Sequence, residues 1–486
     1  MSGLGLAMFA AAIMLMIATG LPVYAVLLGI AAVFATLGVA LGAFEWHLLT
    51  ALPSRVVGLL EHDLLQALPL YALIGALLNR LPLAGLMHAA GERLFARSAA
   101  SAQLSALGIG ALLAPMNGSV GASLHMLARR IAPALAARGV APAEATATVC
   151  VASTLGIVIP PSLVLLLLGD AMMRAHTEAS NATHVAVRIV NTQDVIRAAL
   201  LPGFAVLVLA LAISAWRARG RERAVFAPLG RAALAQATGA AIAIVVLLGG
   251  VAAGRVYAVE AAAAGGLLLL AWGFITRRLD RALLVAVLGD AMTLTGLLMA
   301  LLVGATSFSL VLRGFGTDAL VASALHTLDA HPLAMLGVVL AGLVACSFVL
   351  DAFEMIFLVI PLVMPPLLAV VPDAAWVATL TMLVLQMGFL LPPLGYAVVM
   401  SRLATREPPP LAALARALAP QLIAQALLIA VLLAWPALTH YGANESGDTG
   451  APAMSNAEAE KVMEEAARRN LRDASPGGPA ASEPTP

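Results

Sequence analysis

Two interruptions inside apolar runs constrain this chain more than anything else in it. The first reads Thr154-Leu155-Gly156-Ile157-Val158-Ile159-Pro160-Pro161, the second Gln386-Met387-Gly388-Phe389-Leu390-Leu391-Pro392-Pro393. Proline has no amide donor and its ring clashes with the preceding turn, so a helix must break at each place. Inside lipid such a break is tolerated only where the freed backbone groups meet protein, water or an ion. Breaks at corresponding places in two halves are the sequence mark of a secondary transporter, and they point to its binding site.

Lipid is the solvent this composition calls for. Of 486 residues 62% are hydrophobic and 11% charged, with a mean hydropathy of +0.98, more apolar surface than a soluble domain can hide. Apolar runs cover residues 4–19, 21–42, 65–79, 101–128, 141–172, 198–216, 232–253, 256–276, 283–312, 333–371, 376–400 and 419–438. A spanning helix needs about 20 residues, so roughly ten to twelve membrane segments are expected, two of them hairpins. The near-neutral balance argues against nucleic acid as a partner. Cys150 and Cys346 lie in apolar segments and read as small core residues rather than a disulfide. Residues 4–19 have no basic stretch before them and read as a retained helix, not a cleaved signal.

Arginine sets the orientation. Arg217, Arg219, Arg221, Arg223 and Arg231 share one loop, and Arg277, Arg278 and Arg281 follow two crossings later. That side is expected to be cytoplasmic, which places both termini outside. The tail from about residue 441 is rich in Gly, Pro, Ala, Ser and charge. It is expected to be disordered, with at most a short helix across 455–470.

Residues 110–161 align without a gap on 342–393. Gly110 meets Gly342, Pro133 meets Pro365, Gly156 meets Gly388, and Pro160-Pro161 meet Pro392-Pro393. The expected fold is an all-α polytopic membrane protein with an inverted repeat of two re-entrant hairpins and two broken helices. Residues 1–97 would be N-terminal scaffold helices and an arm. The first repeat, 98–216, would hold a hairpin (98–133), a broken helix (141–172) and a helix (198–216). Residues 217–332 would be further scaffold and a second arm. The second repeat, 333–440, would hold a hairpin (333–371), a broken helix (376–400) and a helix (419–438), with 441–486 as the tail.

Polar residues in such segments need a reason, because an Asp at a helix centre costs about 2.5–3.5 kcal/mol on insertion scales. Asn117, Ser119 and Ser123 lie at the first hairpin tip, Asp351 and Glu354 at the second. Opposite them stand Ser153 and Thr154 and, in the other half, Gln386. Unwound carbonyls with hydroxyl and amide oxygens make a hard cage that suits Na⁺, and half-helix N-termini suit an anion. The pattern reads as two cation sites flanking one anion site. Blander readings stand beside it. Asn117 and Ser119 can simply cap a helix, Thr154 can bond its own backbone, and Gln386 can brace the break. Asp351 and Glu354 can be water-exposed gate residues. Glu260 reads as an interface or helix N-terminal acid rather than a ligand. No nucleotide loop, nucleophile elbow or zinc spacing is present, so no catalytic residue, cofactor or further metal is expected.

With these pieces the chain resembles the large membrane subunit of tripartite ATP-independent periplasmic (TRAP) transporters, from about residue 60 to 438. The resemblance rests on Pro69-Leu70-Tyr71 with Asn79-Arg80, on Ala152-Ser153-Thr154-Leu155-Gly156 leading to Ile159-Pro160-Pro161-Ser162, and on Pro392-Pro393-Leu394-Gly395. Gly118-Ser119-Val120-Gly121-Ala122, Leu165 to Leu168 with Gly169-Asp170, Phe308-Ser309-Leu310 with Arg313-Gly314, and Leu350-Asp351-Ala352-Phe353-Glu354 are similar to the mannitol/chloroaromatic subgroup.

The resemblance implies an Na⁺-driven importer of organic acids in the bacterial inner membrane, moving a transport domain against a scaffold in elevator fashion. It implies two partners, a periplasmic substrate-binding protein and a small four-helix membrane subunit. By position, Na⁺ ligands would be Asn117, Gly118 and Ser119 with Ser153, Thr154 and Gly156, and then Leu350 and Asp351 with Gln386 and Gly388. Substrate would meet Asn117, Ser119, Asp351 and Glu354 beside Pro161 and Pro393. Val384, Met387, Gly388 and Leu391 stand where relatives tend to carry Asn, Thr and Ser, which leaves the second ion site fewer side-chain oxygens. Tyr257-Ala258-Val259 stands before Glu260 where Thr-Pro-Thr is usual. The outside loop 170–197 is a candidate contact for the binding protein. The rival readings are a stand-alone divalent-anion/Na⁺ symporter and, from another class, a membrane enzyme or channel.

Overall fold

The computed structural model describes residues 2–60, 63–117, 119–183, 190–221, 229–327, 329–405 and 407–440. Gly118 of the expected first ion site lies outside them, as does the tail 441–486 with its expected disorder and short helix. The described residues form helices and short connections, with no strand. Among the described residues seven helices are long and apolar enough to cross a bilayer, or up to nine if each sharply bent pair counts as one span. Ile242, Val246, Leu267 and Met292 stand exposed on three of the longest, as side chains do that face lipid rather than water.

The chain opens with α1 (Ser2–Thr19) and α2 (Val23–Ala40), then the short α3 (His47–Thr50) and α4 (Leu52–Leu60). Next come α5 (Ala67–Arg80) and α6 (Leu83–Leu94), which meet at 69° where Pro82 ends the first. The first repeat begins with α7 (Ser101–Leu113), a 3₁₀ turn at Pro115–Asn117 and α8 (Val120–Arg130), followed by α9 (Ala132–Ala137). Then come α10 (Pro142–Val158) and α11 (Leu163–Thr183), bent by 42° across the first Pro-Pro. Pro142 at the start and Glu144 in the first turn of α10 suit a helix N-terminus.

α12 (Thr192–Arg217) starts on a reciprocal cap between Asn191 and Asp194. α13 (Arg231–Ala252), α14 (Ala258–Ile275), the 34-residue α15 (Arg281–Gly314) and α16 (Thr317–His326) follow. The second repeat is α17 (Pro332–Cys346), α18 (Ala352–Glu354) running through a π turn at Met355–Val359 into α19 (Ile360–Val370), then α20 (Ala374–Leu390), α21 (Tyr396–Leu403) and α22 (Leu411–Ala434).

Two sets of helices stand out within one packed unit, joined where α6 lies on α7, α5 on α8 and α16 on α19. α15 lies against α2 and α5, α5 against α14, and α13 against α6 and α14. In the other set the two repeats exchange partners reciprocally. α7 packs on α10 as α17 packs on α20; α12 touches both α10 and α20, and so does α22. α8 packs on α21 while α19 packs on α11, so each hairpin's second limb leans on the far half of the other repeat's broken helix.

The matched glycines explain part of this. A Cβ on Gly156 would stand 2.7 Å from the Ala114 backbone, and one on Gly388 would overlap the Ser347 hydroxyl. α10 thus admits its hairpin only because Gly156 is there, whereas at Gly388 the close atom is a side-chain hydroxyl that could turn aside. Gly110 also meets the other chain segment closely, at the Ala152 carbonyl, but its counterpart Gly342 faces open space. The region 170–197 is not one loop. α11 continues to Thr183, because Met172, Ala175, His176 and Ala179 bury one face at helical spacing while Arg174 reaches back to Asp170 at 2.7 Å.

Candidate transport site

The two breaks share one backbone shape. Ile159 and Leu391, each capping the helix before the prolines, are extended with ψ 111, and both Pro-Pro bonds are cis. Their surroundings differ. Pro160, Pro161 and Ser162 are buried, and Ser162 Oγ accepts from the Leu165 amide to start α11. Pro393 and Leu394 are exposed.

At the first tip Asn117 is fully buried. Its Nδ2 donates to Ser123 Oγ at 3.2 Å, while among the described residues its Oδ1 accepts nothing. Leaving a buried acceptor unmade costs about 1–3 kcal/mol, so an oxygen held this way is available to a cation. Gly75 lets α5 close on the turn, since a Cβ there would stand 3.0 Å from the Asn117 carbonyl oxygen. Ser119 caps α8, accepting from the Ala122 amide at 3.4 Å. The turn packs on α10, which brings Asn117 to the same elements as Ser153, Thr154 and Gly156.

The hydroxyl protons of Ser153 and Thr154 are spent on their own helix. Ser153 donates to the Cys150 carbonyl at 2.9 Å, and Thr154 to Cys150 and Val151 at 3.1 and 3.0 Å. Their oxygens remain acceptors. Thr154 Oγ1 accepts from Gln386 Nε2 at 3.4 Å, across the two repeats. Gln386 Oε1 accepts in turn from Gln425 Nε2 at 2.8 Å, and that amide also reaches the Leu383 carbonyl at 2.9 Å. Gln386 therefore ties both broken helices to α22.

The second tip is built around a reciprocal cap. Asp351 Oδ1 accepts from the Phe353 and Glu354 amides at 2.9 and 3.0 Å, and Glu354 Oε2 accepts from the Asp351 amide at 2.9 Å. Leu350 before it is fully buried. Tyr396, which opens α21 after the second break, lies within electrostatic reach of both carboxylates. A Cβ on Gly121 would stand 2.9 Å from its hydroxyl. The phenol thus lies beside Gly121 at the start of α8. Neither Tyr396 nor Gln425 was singled out by sequence reasoning. The only signal was a tyrosine following Leu394-Gly395 in a chain with five.

Among the described residues no three His, Cys, Asp or Glu side chains converge as a metal cluster. The polar oxygens found at the first tip and its broken helix are those of amide, hydroxyl and backbone groups.

The family model described as tripartite ATP-independent periplasmic transporter, DctM component, matches residues 10–438. No curated protein matches. The structure of the YdaH transporter of Alcanivorax borkumensis, described as having an unusual topology, is similar in fold. It shares 17% identity, with 80% of this chain and 88% of that chain covered and a TM-score of 0.57. MtrF of Neisseria gonorrhoeae, described with a class of antimetabolite efflux pumps, aligns at 14% identity over 80% of this chain and 83% of its own, with a TM-score of 0.48.

Proposed function

The chain belongs to the DctM component family of tripartite ATP-independent periplasmic transporters, and on that premise we propose that it is the sodium-coupled large permease subunit of an organic-acid importer. It is a multi-pass membrane protein of a transporter family, not an enzyme. In this reading a periplasmic binding protein delivers the solute and a small four-helix subunit packs on the scaffold of α1–α6 and α13–α16. The repeats move against that scaffold as an elevator, in the inner membrane, with both termini outside. The motifs around Gly118, Leu165 to Asp170 and Leu350 to Glu354 favour the mannitol/chloroaromatic subgroup.

One observation carries the ion assignment: the Asn117 Oδ1, unpartnered among the described residues and fully buried at a hairpin tip against the first broken helix. We place the first Na⁺ among Asn117, Ser119, Ser153, Thr154 and Gly156, with Gly118. The second takes the Leu350, Gln386 and Gly388 carbonyls and Asp351, because the Gln386 side chain is occupied by Thr154 and Gln425. The solute carboxylate lies between the tips, near Asn117, Ser119, Asp351, Glu354, Pro161 and Pro393.

The test is uptake into proteoliposomes holding this chain and its small subunit, with the binding protein outside. Each charge moved through 100 mV supplies about 2.3 kcal/mol, a sufficient drive. Uptake is expected only with an inward sodium gradient and only with the binding protein. Equal uptake in sodium-free buffer defeats the coupling; uptake without the binding protein favours the stand-alone symporter.

A further inference from the structure

A cavity of about 350 Å³ opens between the scaffold and the second hairpin, lined by none of the site residues named above. Its walls come from both sets of helices: α4 and α15 on one side, α11 and the π turn leading into α19 on the other. Small-molecule sites begin at about 300 Å³, so the space is large enough for a compact solute.

Its charges do not balance. Arg55, Arg174 and Arg313 line it, against Asp170 and Glu178. Arg174 pairs with Asp170 at 2.7 Å, and Arg313 holds both oxygens of Glu178 at 3.0 and 3.2 Å. Among the described residues Arg55 has no partner. Among the described residues one guanidinium is thus left uncompensated. A cleft lined by one excess sign of charge concentrates counter-ions and steers them inward.

The second pair is also exchangeable. Arg313 and Glu178 are partly exposed, and ion pairs of that kind are worth about 0–1 kcal/mol. An arriving carboxylate offers Arg313 the same two-oxygen geometry that Glu178 does. Arg313 also stands in the last turn of α15, where the helix dipole holds a cation. The apolar wall opposite is Ile356 and Phe357, two and three residues past the Asp351–Glu354 cap. A solute held here therefore lies against the segment that carries the second tip.

We infer that this cavity is an anion-recruiting site for a small organic carboxylate, with Arg55 as the free anchor and Arg313 exchanging Glu178 for the solute. Its place on the transport path rests on the import reading above; its preference for anions does not.

The test uses charge-selective labelling of the full chain in membranes. Cys150 is buried and Cys346 half-buried, so Cys346→Ala provides the background and Ser309→Cys, on the cavity wall, the reporter. Thr306→Cys is the second reporter if the first fails to assemble. An anionic methanethiosulfonate is expected to react about tenfold faster than its cationic analogue. Arg55→Gln should bring the two rates together, and succinate should slow labelling where glucose does not. Equal rates with Arg55 intact, or no protection by succinate, overturn the inference. A charge preference with succinate protection, in protein that imports nothing, upholds the cavity and sinks only the import reading.

Discussion

Gln386 donates its side-chain amide to the Thr154 hydroxyl at 3.4 Å, and the two residues are 232 positions apart, the spacing of the internal repeat. Each occupies in its own half the place the other occupies in the second. Both are fully buried, two residues before the glycine that admits a hairpin. The contact therefore lies where the two repeats meet, and both breaks are anchored to it.

Interhelical polar bonds in membranes average about 0.6 kcal/mol and reach about 1.7. Gln386→Met removes the bond to Thr154 and the one from Gln425, so a loss of about 1–2 kcal/mol is expected in reversible unfolding in mixed micelles. With Thr154→Val the double mutant should cost less than the two singles summed, by roughly 0.6 kcal/mol. Strict additivity rules out the bond. Thr154→Ala should leave assembly intact yet raise the sodium needed for half-maximal uptake about tenfold, the equivalent of about 1.4 kcal/mol. An unaltered sodium titration removes Thr154 as a ligand.

Gly156 and Gly342 predict opposite outcomes for the same substitution. A Cβ on Gly156 would meet backbone at 2.7 Å, which cannot turn aside, whereas Gly342 faces nothing within 4 Å. Gly156→Ala should cost about 1–3 kcal/mol by pushing the first hairpin off α10. Gly342→Ala should be neutral or stabilising by up to about 1 kcal/mol through helix propensity. Melting temperatures of the two purified variants decide it; a tolerated Gly156→Ala contradicts the packing.

Asp351 both caps a helix and stands near the proposed second ion. Asparagine caps as well as aspartate, and alanine costs about 0.5–2 kcal/mol at such a position. Asp351→Asn should therefore keep the melting temperature while raising the half-saturating sodium concentration about tenfold. Asp351→Ala should lower both stability and sodium affinity. If Asp351→Asn titrates like the parent chain, the residue is a cap alone.

The parts of this architecture that were legible are the ones that act on the backbone. Pro160-Pro161 and Pro392-Pro393 do stop their helices, but Pro365-Pro366 lie inside α19, so the prolines mark a break only together with the glycines, Gly156 and Gly388, that meet a neighbour four residues earlier. Gly342 aligned equally well with Gly110 and yet packs on nothing, because identity in a repeat does not carry the neighbour with it. The helical run of α11 to Thr183 was hidden by its polarity: one buried face at Met172, Ala175, His176 and Ala179 sufficed to keep it. Gln425 and Tyr396 were illegible for a different reason. They reach the site from elements whose positions follow only from the assembled bundle. The oxygens of Ser153, Thr154 and Gln386 were legible as polar groups in apolar helices, but which bonds already occupied them was not.

The pair Glu92–Arg138 tests how the first repeat is held to the arm. Arg138 sits in the turn between α9 and α10, and gives Nε and Nη2 to the Glu92 carboxylate of α6 at 3.0 and 2.9 Å. The carboxylate raises the already high arginine value, so the guanidinium stays charged at any usable pH. Glu92 is buried while Arg138 is about a third exposed, so the pair lies between the surface and interior limits. Removing one partner then strands a buried charge, which is worse than removing both. Arg138→Gln should cost about 1–3 kcal/mol, and Glu92→Gln in the same chain should recover most of that loss. Arg138→Lys should recover only part, because an ammonium cannot reproduce the two-pronged geometry. Thermal unfolding of the parent, Glu92→Gln, Arg138→Gln and the double mutant in one detergent measures the cycle, with Arg138→Lys beside it. A double mutant less stable than Arg138→Gln alone would show that the arm and the first repeat are joined by something other than this ion pair.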